Sequence, residues 1–327
     1  MQNHKFYLAP LRGITDQIFR TIYERHFGRF DYMLAPFVPT IKGSRVRDYH
    51  IRDILPDNDN DPKRLIPQII GNDPGGFLLL CDKFADLGFA SVNWNLGCPA
   101  PLITRKKRGS GLLPHKDIIE RFLDDVIPKL SIPLSIKVRL GLDSNGDLEG
   151  LIPIFNNYPL KEIIIHPRIG VQMYDGTVDI DKFEICLRKS THITVYNGDI
   201  CTADDFNRLT ARFPDVNRWM IGRGVIKNPC LMNELRGVGQ SSGNIITSRA
   251  TEAVIPANNF ESVHKFLDDL LDACKDHPLP IKTLGRMKEI WRYLGTTINP
   301  SGELGEKILH CESLPEYQKL INTFFNF

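Results

Sequence analysis

Short apolar runs alternate with longer amphipathic stretches through roughly the first 235 residues of the chain. Runs patterned like buried strands lie at 6–9, 32–35, 65–70, 90–94, 134–138, 162–166, 193–196 and 219–221. Stretches of helical period fall between most of them. One, at 15–27, has Asp16 near its start and Gly28 just past its end. A second, at 74–87, follows Asp73, a residue suited to the N-cap, and stops at Gly88. A third, at 202–213, follows a polar turn and stops before Pro214. Strands alternating with helices pair in parallel, and eight such units predict an α/β fold, a closed (β/α)8 TIM barrel. A doubly wound sheet would carry a glycine-rich loop after its first strand. Here that strand runs into Ala9-Pro10-Leu11-Arg12-Gly13.

The texture changes near residue 237, where small and polar residues replace the periodic pattern. Helical patterns return at 260–274, 282–294 and 314–325, punctuated by Pro278, Pro280, Pro300 and Gly302. The predicted organisation is a barrel over 1–238, a linker over 239–257 and an appended C-terminal helical bundle over 258–327. Lys282, Arg286, Lys288 and Arg292 fall on overlapping turns and can share a face. Nucleic-acid contact is one use of such a face, and a solvated helix surface is the other.

Bulk composition narrows the classes only a little. A chain of 327 residues, 42% hydrophobic and 24% charged, has ample material for a core. A net charge of +2 leaves attraction to phosphate to local patches. Seven scattered cysteines with no C-x-x-C pair argue against a zinc site and a disulfide framework, and for reduced thiols in the cytoplasm. No metal is expected. The start of the chain lacks the apolar core of a signal peptide, and no apolar run is long enough to span a membrane.

In a barrel, reactive residues gather where strands end. The third strand pattern offers Gln68, the fourth is followed by Asn95 and Cys98, the fifth presents Lys137 and Arg139, and the sixth ends at His166 with Arg168 just beyond. Asn197-Gly198-Asp199 follows the seventh and Gly222-Arg223-Gly224 the eighth. Singly, each has an ordinary structural reading, such as a core histidine or a tight turn; their recurrence at one end of successive strands points to a site. Barrels commonly hold phosphate between the last two of these loops. Arg223 could bond it with charge assistance. A ring extending from that phosphate would meet Lys137 and Gln68, which suits flavin mononucleotide (FMN); a sugar phosphate is the competing ligand.

The densest chemistry lies between Ser91 and Leu113. A strand pattern delivers Cys98, locked by Pro99; Arg105, Lys106, Lys107 and Arg108 follow; Gly109-Ser110-Gly111 reads as a flexible turn. A thiol beside a cationic loop suggests chemistry next to an anionic polymer. The competing reading is a buried structural cysteine and a solvated charge run.

Taken in order, Ala9-Pro10-Leu11-x-Gly13-x-Thr15-Asp16, Asn95-Leu96-Gly97-Cys98-Pro99, Lys137-Val138-Arg139-Leu140-Gly141, His166-Pro167-Arg168, Asn197-Gly198-Asp199-Ile200 and Met220-Ile221-Gly222-Arg223-Gly224 resemble the tRNA-dihydrouridine synthases along the whole chain. The N-x-x-C-P element is the most specific part; the rest is shared with other flavin barrels such as dihydroorotate dehydrogenases. The departures are Leu11 and Arg12, where the family usually has Met and a small or acidic residue, and Pro167, where Ala or Gly is usual. The resemblance implies that NADPH reduces bound FMN, that hydride passes from flavin N5 to C6 of a tRNA uridine, and that Cys98 protonates C5. It assigns Pro10, Leu11, Arg12, Gln68, Lys137, His166, Asn197, Gly198, Asp199, Gly222 and Arg223 to the cofactor. Asn95, Arg139, Arg168 and the basic run Arg105, Lys106, Lys107 and Arg108 go to the tRNA substrate. A monomer is expected. The alternatives are an FMN-dependent oxidoreductase of a free pyrimidine or other small molecule, and a non-catalytic RNA-binding barrel.

Overall fold

The computed structural model describes residues 3–40, 46–56, 59–237, 255–275, 280–299 and 301–325. All but the end of the expected linker at 239–257 lies outside them. Ten parallel strands form one sheet: β1 (Lys5–Leu8), β2 (Tyr32–Leu34), β3 (Val38–Pro39), β4 (Leu65–Ile66), β5 (Gln68–Ile70), β6 (Val92–Leu96), β7 (Leu134–Gly141), β8 (Ile163–Ile169), β9 (Thr194–Asn197) and β10 (Arg218–Ile221). The sheet order is β3-β5-β6-β7-β8-β9-β10-β1-β2-β4. β4 and β5 are one strand divided at Pro67, which has no N–H to give to a ladder. Its first half pairs with β2 and its second with β6, so the eight expected strands close into a ring. β3 is a short addition paired with β5.

Alternation along the strands separates two faces. Outward residues such as Trp94 pack against the helical layer, where its ring stacks on Phe122 at 4.1 Å and its indole N–H donates to the Gly71 carbonyl at 2.9 Å. Inward, an apolar plug of Ala9, Leu34, Ile66, Ile164, Val195 and Met220 fills the barrel with Tyr7. Beneath it the fully buried Glu162 carboxylate accepts from the Tyr7 hydroxyl at 2.9 Å and the Arg218 guanidinium at 2.7 Å.

The chain forms two compact units. One holds the residues up to Pro10, Phe30–Gly198 and Pro214–Met220; the other holds Leu11–Arg29, Asp199–Phe213 and the chain from Ile221 onward. In the second, the helix Gln17–Phe27 packs with the helix Phe260–Cys274, where Phe19, Tyr23 and Phe27 surround Phe266 at 5.2–6.2 Å between ring centroids. Apolar residues three and four apart on the later helix (Val263, Phe266, Leu267, Leu270, Leu271) make its buried face. The helices Pro280–Ile298 and Leu314–Phe325 match the sequence pattern closely, and Glu303–His310 adds one that Pro300 and Gly302 concealed.

The expected basic face is altered at one position. Arg286 turns away from solvent, donates two hydrogen bonds to the Asp16 carboxylate at 2.5 and 2.6 Å, and reaches the Ile14 carbonyl at 3.2 Å. Asp16 also caps the helix Gln17–Phe27 by accepting the Phe19 N–H at 3.1 Å. Among the described residues no helix is long and apolar enough to cross a membrane.

Candidate active site

The first unit gathers the strongest candidates along β5 to β8 and on the turn that follows β6. Asn95, near the end of β6, accepts the backbone N–H groups of Gly97 at 3.0 Å and Cys98 at 2.8 Å on its side-chain oxygen. That closes a tight turn directly before the thiol. Behind it, the Cys98 carbonyl accepts the backbone N–H of Ser110 at 3.0 Å and its hydroxyl at 3.1 Å. Cys98 is therefore gripped on both sides and remains partly exposed.

The Gly109-Ser110-Gly111 segment is not the flexible turn its composition predicts. It belongs to a buried 3-10 helix, Gly109–Leu112. Gly109 has φ +56°, and a Cβ there would come within 2.5 Å of the Cys98 carbonyl oxygen. The glycine serves close approach, one of the two reasons a chain needs it.

Gln68, fully buried on β5, accepts from the Asn95 amide at 2.7 Å. Lys137 lies opposite Asn95 in the β6–β7 register. Burial pushes its amine down to about 7; Arg139 adds to that and Cys98 opposes it. Its ammonium has no hydrogen-bond or ion-pair partner among the described residues.

Arg139 is 2% exposed and donates to the carbonyls of Gly97 at 3.0 Å and Ile169 at 2.9 Å. It thereby ties the thiol-bearing turn to the end of β8, with its guanidinium 5.3 Å from the centre of the Tyr174 ring. Arg168 is equally buried and bonds the carbonyl of Gly176 at 2.7 Å and the His166 Nε2 at 3.2 Å. A guanidinium only donates, so Nε2 is the acceptor in this contact. The two arginines expected to touch substrate thus have protein partners that brace the site.

In the basic run, Arg105, Lys106 and Lys107 are exposed, while Arg108 is partly buried with its Nε 3.4 Å from the Asn72 side-chain oxygen. The Asn72 amide donates to the carbonyls of Lys106 and Lys107, at 3.2 and 3.1 Å, and fixes the path of the run.

The phosphate candidates divide between the units. In the first, Asn197 donates to the Met220 carbonyl at 2.9 Å across β9 and β10; Gly198 beside it is buried, and Pro10 is partly exposed. In the second, Arg223 pairs with Asp199 at 2.8 Å, Gly222 precedes the short helix Arg223–Lys227, the Leu11 N–H donates to the Thr15 hydroxyl at 2.8 Å, and Arg12 is exposed.

Sequence reasoning passed over Asn72, Asn93, Ser135 and Tyr174. The signal for two of them was present. Asn93 and Asn95 alternate along β6, as do Ser135, Lys137 and Arg139 along β7, which puts every member on the inward face. Among the described residues no group of His, Cys, Asp and Glu side chains could hold a metal ion.

The chain is similar in sequence and in fold to known proteins. The family model described as "Dihydrouridine synthase (Dus)" matches residues 7–300. The tRNA-dihydrouridine synthase B of Pasteurella multocida (strain Pm70) is 26% identical over 270 residues, covering 80% of this chain and 78% of that protein. Its counterpart in Escherichia coli (strain K12) is 28% identical over 233 residues, 70% of each chain. Among solved structures, histamine dehydrogenase from Rhizobium sp. 4-9 superposes with a TM-score of 0.54 at 12% identity, over 72% of this chain and 46% of that one, a likeness of fold. With the match spanning nearly the whole barrel and running into the C-terminal helices, the chain belongs to the dihydrouridine synthase family.

Proposed function

We propose that this protein reduces uridine in tRNA to 5,6-dihydrouridine, with FMN as its bound cofactor and NADPH as reductant. The observation that carries the reading is the pairing of Cys98, a partly exposed thiol on a doubly gripped turn just after β6, with Lys137, a desolvated amine without a counter-ion on the adjacent β7. A desolvated amine favours an anionic or electron-rich neighbour. Gln68 keeps one amide proton and one carbonyl lone pair after its two hydrogen bonds, which suits the donor and acceptor edge of a flavin pyrimidine ring. Gln68, Lys137 and His166 would hold the ring. Pro10, Leu11, Arg12, Asn197, Gly198, Asp199, Gly222 and Arg223 would hold the remainder.

Bound flavin, reduced by NADPH, supplies the hydride that reaches C6 of the uracil. The protein's own work is to receive a uridine extruded from its stack, to orient it with Asn95, and to deliver a proton from Cys98 Sγ to C5. Lys137 and His166 offset the charge that develops on the base. Arg139 keeps the thiol's turn in place, and Arg168 holds the His166 ring. Arg105, Lys106 and Lys107 contact RNA phosphates, positioning the substrate without reading sequence. A cytoplasmic site of action suits seven cysteines that are all thiols.

The test is a comparison of wild type with Cys98→Ala. The variant is expected to keep flavin binding and NADPH-driven flavin reduction and to lose dihydrouridine formation by about 100-fold or more, the usual scale for a proton donor. Near-normal product would remove Cys98 from that role. Reoxidation of the reduced flavin by uracil or orotate, but not by tRNA, would favour the small-molecule alternative, and a colourless protein unable to bind flavin the non-catalytic one.

A further inference from the structure

Four buried polar side chains form one hydrogen-bonded row across β5, β6 and β7. Gln68, Asn93 and Ser135 are fully buried and Asn95 is 7% exposed. In strand register Gln68 lies opposite Asn93, and Asn93 opposite Ser135. The row begins at the backbone N–H groups of Gly97 and Cys98, which donate to the Asn95 side-chain oxygen. The Asn95 amide donates to the Gln68 oxygen at 2.7 Å, the Gln68 amide to the Asn93 oxygen at 2.8 Å, and the Asn93 amide to the Ser135 hydroxyl at 2.9 Å. The Ser135 hydroxyl donates in turn to the Val92 carbonyl at 3.2 Å.

The direction of this row is not arbitrary. One end is a pair of N–H groups, which can only donate; the other is a carbonyl, which can only accept. Between them each amide has one orientation that avoids a clash of two donors or two acceptors. An interior of low polarity makes each unmet group costly, so the orientation is strongly enforced. The inward layer below is apolar, so the polar row is local to the mouth of the barrel, where the thiol-bearing turn begins.

We infer that Asn93 and Ser135 are positioning residues for the reaction. They fix which end of the Gln68 amide is available to the cofactor ring, and through Asn95 they join that setting to the turn that carries Cys98. This rests on the reading of Gln68 as a flavin contact. Neither residue needs to touch cofactor or substrate. Asn93 acts by accepting from Gln68, and Ser135 by accepting from Asn93.

Two pairs of variants test this with FMN itself as the probe. Asn93→Asp keeps an acceptor for the Gln68 amide, and its second oxygen can take the Ser135 hydroxyl. Asn93→Leu removes the acceptor and frees the Gln68 amide to turn over. The readouts are FMN affinity by fluorescence quenching, the visible spectrum of the bound flavin and its midpoint potential, with the thermal midpoint recorded separately. Asn93→Leu is expected to weaken FMN binding by about tenfold, the equivalent of one hydrogen bond, and to shift spectrum and potential. Asn93→Asp is expected to stay within about threefold of wild type, because the bond to Gln68 survives. Ser135→Ala, which deletes a single atom two bonds along the row, serves if the leucine variant does not fold; it is expected to lower affinity by about threefold, with Ser135→Thr restoring it. Unchanged flavin spectrum and affinity in both Asn93→Leu and Ser135→Ala would overturn the inference. So would equal impairment of Asn93→Asp and Asn93→Leu in step with their loss of thermal stability. A wild-type protein that binds no FMN would instead overturn the proposed cofactor, an outcome visible before any variant is made.

Discussion

A lysine on the inward face of a strand has to give up its water, its charge or both. Lys137 illustrates the compromise: burial, with Arg139 nearby, lowers its pKa to about 7 from the 10.5 of an open lysine, and Cys98 opposes only part of that. The consequence for stability has a definite sign. Below pH 7 both folded and unfolded chains carry the proton, and the folded chain bears the full cost of a desolvated ammonium. Between pH 7 and 10.5 the unfolded chain binds more protons than the folded one, so stability rises with pH across that window. Lys137→Met should therefore stabilise the cofactor-free protein by about 2 kcal/mol at pH 6, a value discounted from the nominal shift for relaxation and water entry. The advantage should shrink through the window and vanish above pH 10.5. Urea denaturation of both proteins at pH 6, 8 and 10 measures it, and a pH-independent difference would show that the amine keeps its water in the folded state.

Whole elements obey local rules well and distant ones poorly, and Asp16 shows both. The pattern put it just inside the start of a helical stretch at 15–27; it is in fact the cap of the helix Gln17–Phe27. Its second role, holding Arg286 from a residue separation of 270, has no trace in the pattern around either residue. Periodicity alone put Arg286 with Lys282, Lys288 and Arg292; an available carboxylate turned it inward. The strands were legible for the same reason the caps were, since alternation and apolar runs are local. The Gly109-Ser110-Gly111 segment was misread because glycine-rich composition signals both looseness and close packing, and only the approach to the Cys98 carbonyl decides between them. Arg139 was visible as a strand-end residue, but its partners Gly97 and Ile169 come from two other strand ends, so its bracing role was not. Removing Asp16 should be costly in two ways. Asp16→Ala takes away the cap, worth about 1 kcal/mol, and leaves the Arg286 guanidinium, 12% exposed, without its carboxylate. A total loss of about 2–3 kcal/mol is expected, short of a fully buried pair because Asp16 itself is 33% exposed. Asp16→Asn, which keeps the cap, should lose about half as much. Chemical denaturation of the two variants separates the terms, and equal losses would mean that the ion pair contributes nothing.

At the scale of the molecule, a net charge of +2 gives a polyanion little general reason to bind. Affinity for RNA must come from where the charge is concentrated. Arg105, Lys106 and Lys107 project from a run whose backbone is pinned by Asn72, a short distance in sequence from Cys98. Arg108 is spent on Asn72. If three side chains each neutralise a phosphate, counter-ion release contributes about 2–3 to the slope of log affinity against log salt, since each contact adds roughly 0.7–0.9. Between 50 and 200 mM salt that is a loss of about 15- to 60-fold in affinity from this run alone. The combined variant Arg105→Gln, Lys106→Gln, Lys107→Asn removes the charges; asparagine suits residue 107, which sits at φ +51°. It should bind tRNA more weakly at 50 mM salt, approach wild type at high salt, and bind FMN normally, because none of the three lies among the residues assigned to the ring. Arg108→Gln, by contrast, should disturb the turn held by Asn72 and change the salt slope by less than one unit. Filter binding of unmodified tRNA across the salt series distinguishes these outcomes. A triple variant with the wild-type slope would return the run to ordinary solvated surface and leave the RNA contact to other parts of the chain.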